Sequence, residues 1–553
     1  MSIMIFEPAA RTILPTKDLL SYIFDSPQYD QDKPIYIDAK NPSRSISCNQ
    51  ARTTIRKLIA GLHAAGLRKG DCVLIHSFND INYSILVLGI IAAGGIFTGS
   101  NPSYTPHELA HHVRAADCKF LISEPEILDT LLVAAKQVGV PTEKVWVFDN
   151  LGQALPPQQK SWKRLMDHGE SDWLRFDDLQ TAQTTTAMRL FSSGTTGLPK
   201  AVMITHYNLI AQHELVIGLN PRPFPIVRIN AVPIFHASAA PVTHISTLKA
   251  GQVCYMMRRF ELEEYLVNAE KYNVTDLAMV PPIVITILMS PISMTKPFLK
   301  KARAAICGAA PLDMAIQSRF RSSLMGDDSP FTQVWGMTET SCVATMFPYP
   351  EHDNTGSVGR LIPNLEAKLI DEEDRNISAF GVRGELCVRG PTVTPGYYKN
   401  PEANASSFDS EGWYKTGDIA YCDQATRKWY IVDRKKELIK VRGFQVAPPE
   451  IEAVLLSHPQ IVDAAVIGIT FPEAGTEYPR AYVVRRPGDA GQKLTEEAVQ
   501  EWVLRRLSKY KALTGGVKFV GSIPKNPSGK ILKRVLREDA KKEILAGVIK
   551  PKL

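Results

Sequence analysis

The stretch "FSSGTTGLPKAV", Phe191–Val202, places two glycines, four hydroxyl side chains and one lysine between apolar ends. Glycines leave backbone N–H groups accessible, and together with the hydroxyls and the charge of Lys200 they favour a phosphate chain. The P-loop of nucleotide triphosphatases requires Gly directly before the lysine and Ser or Thr directly after it, whereas Pro199 and Ala201 occupy these positions. The stretch therefore predicts a phosphate-binding loop of another type, although by itself such a composition is more often an ordinary surface loop.

The length and composition restrict the class of protein. A chain of 553 residues exceeds what one hydrophobic core usually serves, so two or more domains are expected. Hydrophobic residues make up 44% and charged residues 22%, which is typical of a soluble globular protein. The net charge of +7 is small, and the basic residues are scattered along the chain apart from a cluster toward the C-terminus, so we expect no nucleic-acid partner.

The cysteines and apolar runs indicate an intracellular protein. Eight widely spaced cysteines form no CxxC pair, which favours a reducing compartment without a zinc site or disulfide framework. The N-terminus lacks the basic start of a secretory signal. The longest apolar run, "ILVLGIIAAGGIF" (Ile85–Phe97), is too short to span a membrane and predicts a buried core helix.

The chain ends in Pro551, Lys552 and Leu553. This tripeptide resembles the Ser-Lys-Leu signal that peroxisomal import receptors recognise. We therefore expect a peroxisomal location with such a receptor as partner, or a cytoplasmic location if the match is accidental.

Hydrophobic patterns change along the chain. Between about residues 50 and 320, β-branched runs such as "CVLIHSF", "KFLISEP", "KVWVFDN" and "INAVPIF" alternate with helix-like stretches, which predicts α/β layers with parallel sheets. From about Leu361, the short runs "EAKLID", "GELCVRG" and "KWYIVD" predict a small antiparallel unit. After Lys436, "APPEIEAVLLSHP", "DAAVIGIT", "RAYVVRR" and "LTEEAVQEWVLRRLSKY" predict a compact C-terminal domain of helices and strands.

Three further stretches carry residues suited to nucleotide chemistry. "VWGMTET" combines the ring of Trp335, which can stack on a purine, with Glu339, a hard oxygen ligand for magnesium. "WYKTGDIAY" presents Asp418 after a glycine, where it can accept hydrogen bonds from ribose hydroxyls. "IPKNPSGKILKR" places Lys530 after a turn, so that its long side chain can reach into a site. Each stretch alone is more often structural, and their joint occurrence in this order favours function.

With "NPSYTPHEL", "VPIFHAS", "CGAAPL", "GELCVRGPTVTPGYYKNPE" and "VDRKKELIKVRGFQVAPPEIE", these stretches make nearly the whole chain resemble the adenylate-forming superfamily. The likeness is strongest to the acyl-CoA synthetases and 4-coumarate:CoA ligase-like enzymes. It implies an α/β fold with an N-terminal AMP-binding domain, residues 1–435, of two doubly wound α/β subdomains plus a small β-barrel-like unit. A smaller, mobile α+β domain, residues 436–553, follows.

The resemblance assigns most site residues to the nucleotide. The phosphate loop comprises Ser192, Ser193, Gly194, Thr195, Thr196, Gly197 and Lys200. Gly308, Ala309 and Ala310 are implied to lie against adenine and acid, and Trp335, where many relatives have tyrosine, to stack on the purine. Thr338 is implied to approach the α-phosphate, Glu339 to hold Mg²⁺, and Asp418 with Arg434 to bind the ribose.

The resemblance also implies two faces of the C-terminal domain. Lys436 is the implied pivot between domains, and Lys530 serves the first half-reaction. Lys440 and Gln445, with the cofactor-binding Gly443 between them, belong to the face that serves the second. The implied cofactors are ATP, Mg²⁺ and coenzyme A.

The implied reaction activates a carboxylic acid as acyl-AMP and transfers it to coenzyme A. His236 is implied to orient the acid, in a pocket that includes Ala237, Ser238, Gly308, Gly336, Ser341, Cys342 and Val343. These small, mostly apolar residues offer no counter-ion for an amine, which favours aryl or medium-chain fatty acids over amino acids. The open alternatives are a stand-alone enzyme that loads a carrier protein, a luciferase-like oxygenase and a non-catalytic nucleotide-binding protein.

Overall fold

The computed structural model describes residues 4–192, 199–435, 437–441, 444–471, 476–507, 509–526 and 529–549. Contacts divide the chain into two compact units. The larger consists of Phe6–Ala367 and Val388–Tyr414, and the smaller contains the described residues of Met1–Ile5, Lys368–Cys387 and Lys415–Leu553.

The strands up to Leu361 are, in chain order, β1 (Pro34–Asp38), β2 (Ser45–Ser47), β3 (Cys72–His76), β4 (Ile96–Ser100), β5 (Cys118–Ser123), β6 (Val145–Val147), β7 (Lys160–Ser161), β8 (Thr186–Ser192), β9 (Lys200–Thr205), β10 (Val227–Asn230), β11 (Val253–Met256), β12 (Asp276–Met279), β13 (Ala304–Cys307), β14 (Phe331–Gln333), β15 (Trp335–Met337), β16 (Cys342–Met346) and β17 (Arg360–Leu361). The later strands are β18 (Glu366–Ile370), β19 (Gly384–Arg389), β20 (Gly396–Tyr397), β21 (Tyr414–Cys422), β22 (Trp429–Arg434), β23 (Ile439–Val441), β24 (Phe444–Val446), β25 (Ile461–Ile469), β26 (Tyr478–Arg485) and β27 (Val517–Phe519).

The α-helices are α1 (Leu19–Phe24), α2 (Cys48–Ala64), α3 (Ile81–Ala92), α4 (Pro106–Ala115), α5 (Leu128–Val138), α6 (Leu179–Thr184), α7 (His206–His213), α8 (Thr247–Lys249), α9 (Leu262–Lys271), α10 (Pro281–Met289), α11 (Met314–Leu324), α12 (Pro401–Ser407), α13 (Pro448–Leu456), α14 (Asp489–Gln492), α15 (Glu496–Leu504) and α16 (Lys533–Leu545). Two π-helical segments are Glu214–Gly218 and Val242–Ser246, and 3₁₀ turns are Pro125–Ile127, Thr142–Lys144, Trp162–Asp167, Pro291–Met294, Thr338–Thr340 and Lys509–Lys511.

Two sheets organise the larger unit. An eight-stranded sheet has the order β20-β9-β8-β4-β3-β5-β6-β7, and a seven-stranded sheet has the order β14-β13-β12-β10-β11-β1-β2. Pairing is parallel in both except where β8, β9 and β20 pair at one end of the first and β1 and β2 at one end of the second. The predicted α/β architecture is confirmed, because helices connect most of the parallel strands.

The long apolar run was predicted as one core helix, and the structure corrects its end. Helix α3 stops at Ala92, and the run continues into β4, which begins at Ile96. The break falls at Gly94, whose φ of +79° is the left-handed conformation that ends helices. Periodicity could not reveal this change, since a buried helix and a buried strand are both apolar all round.

The seven-stranded sheet buries alternate side chains on opposite faces. Ile229, Leu277, Ala305 and Phe331, on four neighbouring strands, belong to one hydrophobic core. Because side chains alternate along a strand, Arg228, Asp276, Ala304 and Thr332 point to the other face. A cavity lies against this second face.

In the smaller unit, a four-stranded sheet with the order β18-β19-β21-β22, which lies mainly in this unit, precedes the small sheets β23-β24 and β25-β26-β27. The predicted helix "APPEIEAVLLSHP" is α13, with two prolines in its first turn. Strands β25 and β26 and helix α15 lie where the sequence predicts them, which confirms the α+β character of the C-terminal part.

The smaller unit contains a buried charge cluster. Lys533 Nζ lies 3.2 Å from Glu452 Oε1 and 3.7 Å from Glu437 Oε2, and the lysine side chain is 6% exposed. Burial alone would lower the pKa of Lys533, but Glu452, Asp433 and Glu437 together raise it. Burial raises the pKa of Asp433 to about 7, an effect that Lys533 opposes.

Asp433→Asn tests this cluster. For an aspartate whose pKa rises from 3.8 in the unfolded chain to about 7 in the folded state, stability is lost as the pH increases from about 4 to about 7, because the unfolded chain releases its proton first. Since asparagine does not ionise, the free energy of unfolding of Asp433→Asn relative to the unaltered chain should increase between pH 5 and pH 8, on the order of 2 kcal/mol. Denaturant titrations at several pH values measure this difference.

The matched control is Asp423→Asn, in a turn of the same unit. Hydrogen bonds from Thr426 lower the pKa of Asp423, so it is ionised throughout this range in both states. Its effect on stability should therefore not depend on pH between 5 and 8. An equally constant difference for Asp433→Asn would contradict the assignment.

Candidate active site

The predicted phosphate loop connects two antiparallel strands. Ser192, the last residue of β8, pairs with Lys200, the first residue of β9. Residues 193–198, which include the predicted Ser193, Gly194, Thr195, Thr196 and Gly197, lie outside the described residues. The described end of the loop is held by His111 on α4, whose Nε2 lies 3.0 Å from the Pro199 carbonyl oxygen.

A tyrosine connects the loop with the predicted magnesium ligand. Tyr397 pairs with Val202 of β9, and the Lys200 ammonium lies 5.0 Å from the centroid of its ring. The Tyr397 hydroxyl donates to Glu339 Oε1 at 2.9 Å. Burial and the Glu339 carboxylate raise the pKa of Tyr397, so the phenol stays protonated and remains a donor. Lys200 and Glu339 therefore both lie beside Tyr397.

Glu339 and Thr338 lie in a tight turn between β15 and β16. The turn Thr338–Thr340 is fixed by the Met337 N–H, which donates to Thr340 Oγ1 at 3.0 Å. Glu339 is 4% exposed. Ser341, just after the turn, has a φ of 58°, a rarely populated conformation that often accompanies functional sites.

Trp335 and Gly336 form part of β15. Trp335 is 8% exposed, and it lies in a strand rather than in a turn. A Cβ atom at Gly336 would lie 1.6 Å from the Cys342 carbonyl oxygen, so no other residue fits there without moving β16. Gly336, Cys342 and Val343, three residues of the predicted acid pocket, therefore lie close together.

His236 and Ser238 lie close to Cys342. The Cys342 thiol lies 3.6 Å from the Ser238 carbonyl oxygen. The Ser238 N–H donates to His236 Nδ1 at 3.2 Å, which places the proton of the neutral ring on Nε2. Desolvation lowers the pKa of His236 to about 4, so the ring is neutral near pH 7. Ala237, between the two, is buried.

Gly308, Ala309 and Ala310 follow the carboxyl end of β13. A Cβ atom at Gly308 would approach Val334 Cγ2 to 2.9 Å, and Ala309 has a φ of 71°. The sharp bend lies beside the start of β15, because β13 and β14 are parallel neighbours. Loops at the carboxyl ends of parallel strands are the usual place for ligands in such sheets.

Asp418 and Arg434 lie together in the smaller unit. They are paired across β21 and β22, and Arg434 Nε lies 3.5 Å from Asp418 Oδ1. Asp418 is 5% exposed. The neighbouring Lys435 binds Glu385 Oε2 at 2.7 Å. The sequence prediction that Asp418 and Arg434 act together is consistent with this pairing.

The remaining predicted residues are described in part. Lys530 lies in a turn in which its N–H donates to Asn526 Oδ1 at 2.8 Å. Lys440 and Gln445 are paired on β23 and β24, but their side chains are not described. Lys436 and Gly443 lie outside the described residues, as do Pro551, Lys552 and Leu553.

Sequence reasoning did not single out Tyr397 or His111. Tyr397 stands in the quoted stretch "TPGYYKN", but it is 58 residues from Glu339 in the chain. A second tyrosine, Tyr414, lies 3.1 Å from the Tyr397 hydroxyl. A pair of tyrosines beside a buried carboxylate has no local pattern, so only the fold reveals it.

Comparison with known proteins identifies the family. The family model described as AMP-binding enzyme matches residues 24–398, and the model described as AMP-binding enzyme C-terminal domain matches residues 450–530. The chain belongs to the AMP-binding enzyme family.

The chain is similar to proteins named as CoA ligases and to a solved ATP-bound structure. The chain is 55% identical to phenylacetyl-CoA ligase epaB of Aspergillus niger, over 98% of this chain and 100% of the relative. It is 54% identical to acyl-CoA ligase azaF of Aspergillus niger, over 96% and 100%. The ATP-bound crystal structure of MatB from Rhodopseudomonas palustris is 28% identical, covers 95% of this chain and 99% of its own, and has a TM-score of 0.84.

These findings support the predicted activity class. The protein is an ATP-dependent acid:CoA ligase of the AMP-forming acyl-CoA synthetase type. Carrier-protein loading, oxygenation and nucleotide binding without catalysis are not favoured. None of the helices that the structure describes combines the length and apolar composition required to cross a membrane.

Proposed function

We propose that the ligase activates an aryl-substituted or medium-chain carboxylic acid. The observation that carries the proposal is the cluster of Gly336, Cys342 and His236, whose side chains are small, apolar or neutral. A relative that is 55% identical is named a phenylacetyl-CoA ligase, which supports an acid of this kind. A neutral pocket disfavours amino acids, because a buried ammonium needs a partner.

His236 is proposed to orient the substrate carboxylate. Its Nδ1 accepts the Ser238 N–H, so its Nε2–H is a donor for a carboxylate oxygen. Orientation matters because the carboxylate must attack the α-phosphorus of ATP in line with the leaving pyrophosphate. A neutral donor aligns the carboxylate without the strong ion pair that would reduce its nucleophilicity.

The larger unit is proposed to bind the phosphates. Lys200 and the Ser192 end of the loop supply positive charge and donors, and Thr338 approaches the α-phosphate. Gly308, Ala309, Ala310 and Trp335 are proposed to contact the adenine, and in the smaller unit Asp418 and Arg434 to bind the ribose.

Glu339 fits Mg²⁺ in its chemistry. The described residues hold no group of three or more potential metal ligands, but Mg²⁺ commonly uses one or two carboxylates together with substrate phosphates and water. When bound, Mg²⁺ would neutralise phosphate charge. Tyr397 holds the carboxylate in one orientation through its hydrogen bond.

The smaller unit is proposed to serve the two half-reactions with different residues. Lys530 would stabilise charge during adenylate formation, and the segment with Lys440, Gly443 and Gln445 would assist attack by the coenzyme A thiol. Rotation of the C-terminal domain about Lys436 would replace Lys530 in the site by the segment with Lys440, Gly443 and Gln445. Two lysine-bearing stretches within one small domain support this proposal.

The domain boundary and location are also proposals. We place the boundary at residues 435/436, which is supported by family models that match on either side of it. We propose peroxisomal import through Pro551, Lys552 and Leu553, which is supported by the likeness of this tripeptide to Ser-Lys-Leu.

An acid panel tests the substrate proposal. With ATP, Mg²⁺ and coenzyme A, phenylacetate, cinnamate and six- to twelve-carbon fatty acids should include acids that release AMP and pyrophosphate together with thioester. Amino acids should be at least about 100-fold less active, since their ammonium group would be unpaired. Efficient activation of an amino acid would refute the proposal. A lack of activity with every acid tested would also refute it.

Lys530→Ala tests the division of labour. Acid-dependent exchange between pyrophosphate and ATP should decrease about 10²–10³-fold, because charge developing in the transition state loses a partner. Thioester formation from supplied acyl-adenylate should change less than threefold. The control is Lys525→Ala in the same turn, whose ammonium lies 2.6 Å from Asp463 Oδ2; it should retain both reactions. Equal losses in both half-reactions of Lys530→Ala would show that the assignment is wrong.

Tyr397→Phe tests the support of Glu339. Loss of a hydrogen bond to a charged group, about 1.5–3 kcal/mol, should lower kcat/KM roughly 10- to 100-fold at limiting Mg²⁺. High Mg²⁺ should restore part of the loss, which a purely structural defect would not show. Tyr398→Phe is the matched control, since the hydroxyl of Tyr398 donates to Asp117 instead. An unchanged Mg²⁺ dependence in Tyr397→Phe would separate this tyrosine from the metal site.

A further inference from the structure

A cavity of about 380 Å³ lies in the larger unit on the second face of the seven-stranded sheet. One wall is formed by β13 and β14, and another by the π-helical segment Glu214–Gly218. The volume lies within the range of roughly 300–1,000 Å³ typical of small-molecule sites. π-helical turns are rare and often accompany functional sites.

One end of the cavity lies at the candidate acid pocket. Val343, a predicted pocket residue, lines it, and so does Val334, which precedes Trp335 and contacts Gly308. This end is at the carboxyl ends of β13 and β14, where the reacting carboxyl group is proposed to lie. The acyl part of a bound acid therefore has this cavity as its continuation.

The length of the cavity follows from the sheet. Pro330, Thr332 and Val334 line it in alternation, and four residues of a parallel strand span about 13 Å. A covalent chain advances about 1.1–1.2 Å per bond, because a three-bond residue spans at most about 3.5 Å, so 13 Å corresponds to about eleven bonds. A phenylacetyl group ends about five bonds from its carboxyl carbon and would fill about half of this length.

The far end of the cavity carries charge. Asp276 pairs in register with both Arg228 and Ala304, which places it at the amino ends of the strands. Arg228 Nε lies 2.9 Å from Asp276 Oδ1, and Arg222 Nε lies 3.8 Å from Asp276 Oδ2. All three side chains are at most 13% exposed.

This cluster holds one more positive than negative charge. Arg228 is satisfied by Asp276 and by Gln252 Oε1 at 2.6 Å. The Arg222 guanidinium carries five N–H donors: Nη1 donates to Asn220 Oδ1 at 3.1 Å, Nε lies 3.8 Å from Asp276 Oδ2, and the Tyr349 ring lies 4.8 Å from Cζ, so the described residues do not engage all five donors at hydrogen-bond distance. Burial lowers the pKa of Arg222, which is the effect expected of an incompletely compensated charge.

Other charged groups at the cavity do not neutralise Arg222. Glu351 is paired with Arg360 at 2.6 Å, and Lys33 is exposed and adds positive charge. Burial lowers the pKa of His213 to about 4, so its ring is neutral. An oxygen atom that accepts hydrogen bonds would therefore be favoured beside Arg222.

We propose that the acid activated by this ligase has a medium-length chain whose far end bears an oxygen group, a hydroxyl or a carboxylate, that Arg222 binds. The proposal rests on the proposed function and specifies its acid. The chain lies along β13 and β14, and the oxygen accepts N–H donors of the guanidinium about eleven bonds from the reactive carboxyl group. Arg222 is a specificity residue, since it does not contact the reacting atoms.

The test compares decanoate, ω-hydroxydecanoate and decanedioate, which differ at the far end alone. For AMP release, kcat/KM should be about tenfold or more higher for at least one of the two oxygen-terminated acids than for decanoate. Arg222→Gln should remove this preference while changing the rate with decanoate less than threefold. The surface variant Arg259→Gln, which removes an arginine that does not line the cavity, should leave the preference unchanged.

Ala304→Phe tests the position of the chain independently. Ala304 lies at the far end of the cavity, so a phenyl ring there should reduce the activity with all three ten-carbon acids and spare phenylacetate. Thermal melting shows whether Ala304→Phe is folded. If Ala304→Phe is unfolded, the result with Arg222→Gln decides the proposal. Equal activity of the three acids, or an unchanged preference in Arg222→Gln, would overturn it.

Failure of the proposed function gives a different result. If no acid in any panel releases AMP, the proposed function is wrong, and calorimetric binding of decanoate and the two oxygen-terminated acids decides the inference. Tighter binding of an oxygen-terminated acid than of decanoate, lost in Arg222→Gln, supports a site for such chains. Equal or absent binding overturns it.

Discussion

The hydrogen bond from the Tyr397 hydroxyl to Glu339 is the contact on which the proposed phosphate site depends. Glu339 is almost completely buried, and a buried carboxylate without donors would be strongly destabilising. Tyr397 is positioned by the pairing of β20 with β9, the strand that begins with Lys200. One side chain thus satisfies the carboxylate and lies beside the lysine, so the two opposite charges needed around a metal–phosphate group are set by backbone pairing.

The sequence predicted the features that are local. The start of α13 at its two prolines and the strands β25 and β26 follow from residues close together in the chain. Local patterns are reliable because glycine, proline and capping residues restrict the backbone directly. The end of α3 was misjudged because the run through Ile96 is apolar throughout and its Gly94 was not interpreted as a helix end.

Features that depend on distant segments could not be predicted. Tyr397 and Glu339 meet because β20 joins the edge of an otherwise mostly parallel sheet, and no spacing rule connects them. Arg228 and Asp276 are 48 residues apart and become neighbours through the register of β10 and β12. A charged residue in a strand is usually interpreted as solvent-facing, so no sequence pattern indicates that these two residues lie on a buried face.

The two faces of the seven-stranded sheet therefore differ in polarity, and the stability of the fold does not explain this difference. One face carries the apolar core that includes Leu277 and Phe331, which supplies hydrophobic stabilisation. The other buries Arg222, Arg228 and Asp276, and such ionic groups generally stabilise a fold no more than apolar residues of similar size would. Apolar side chains on this second face would stabilise the fold equally well. The excess guanidinium is consequently better explained by a ligand than by packing, and the adjoining cavity leads from it to the strand ends where the acid is proposed to react.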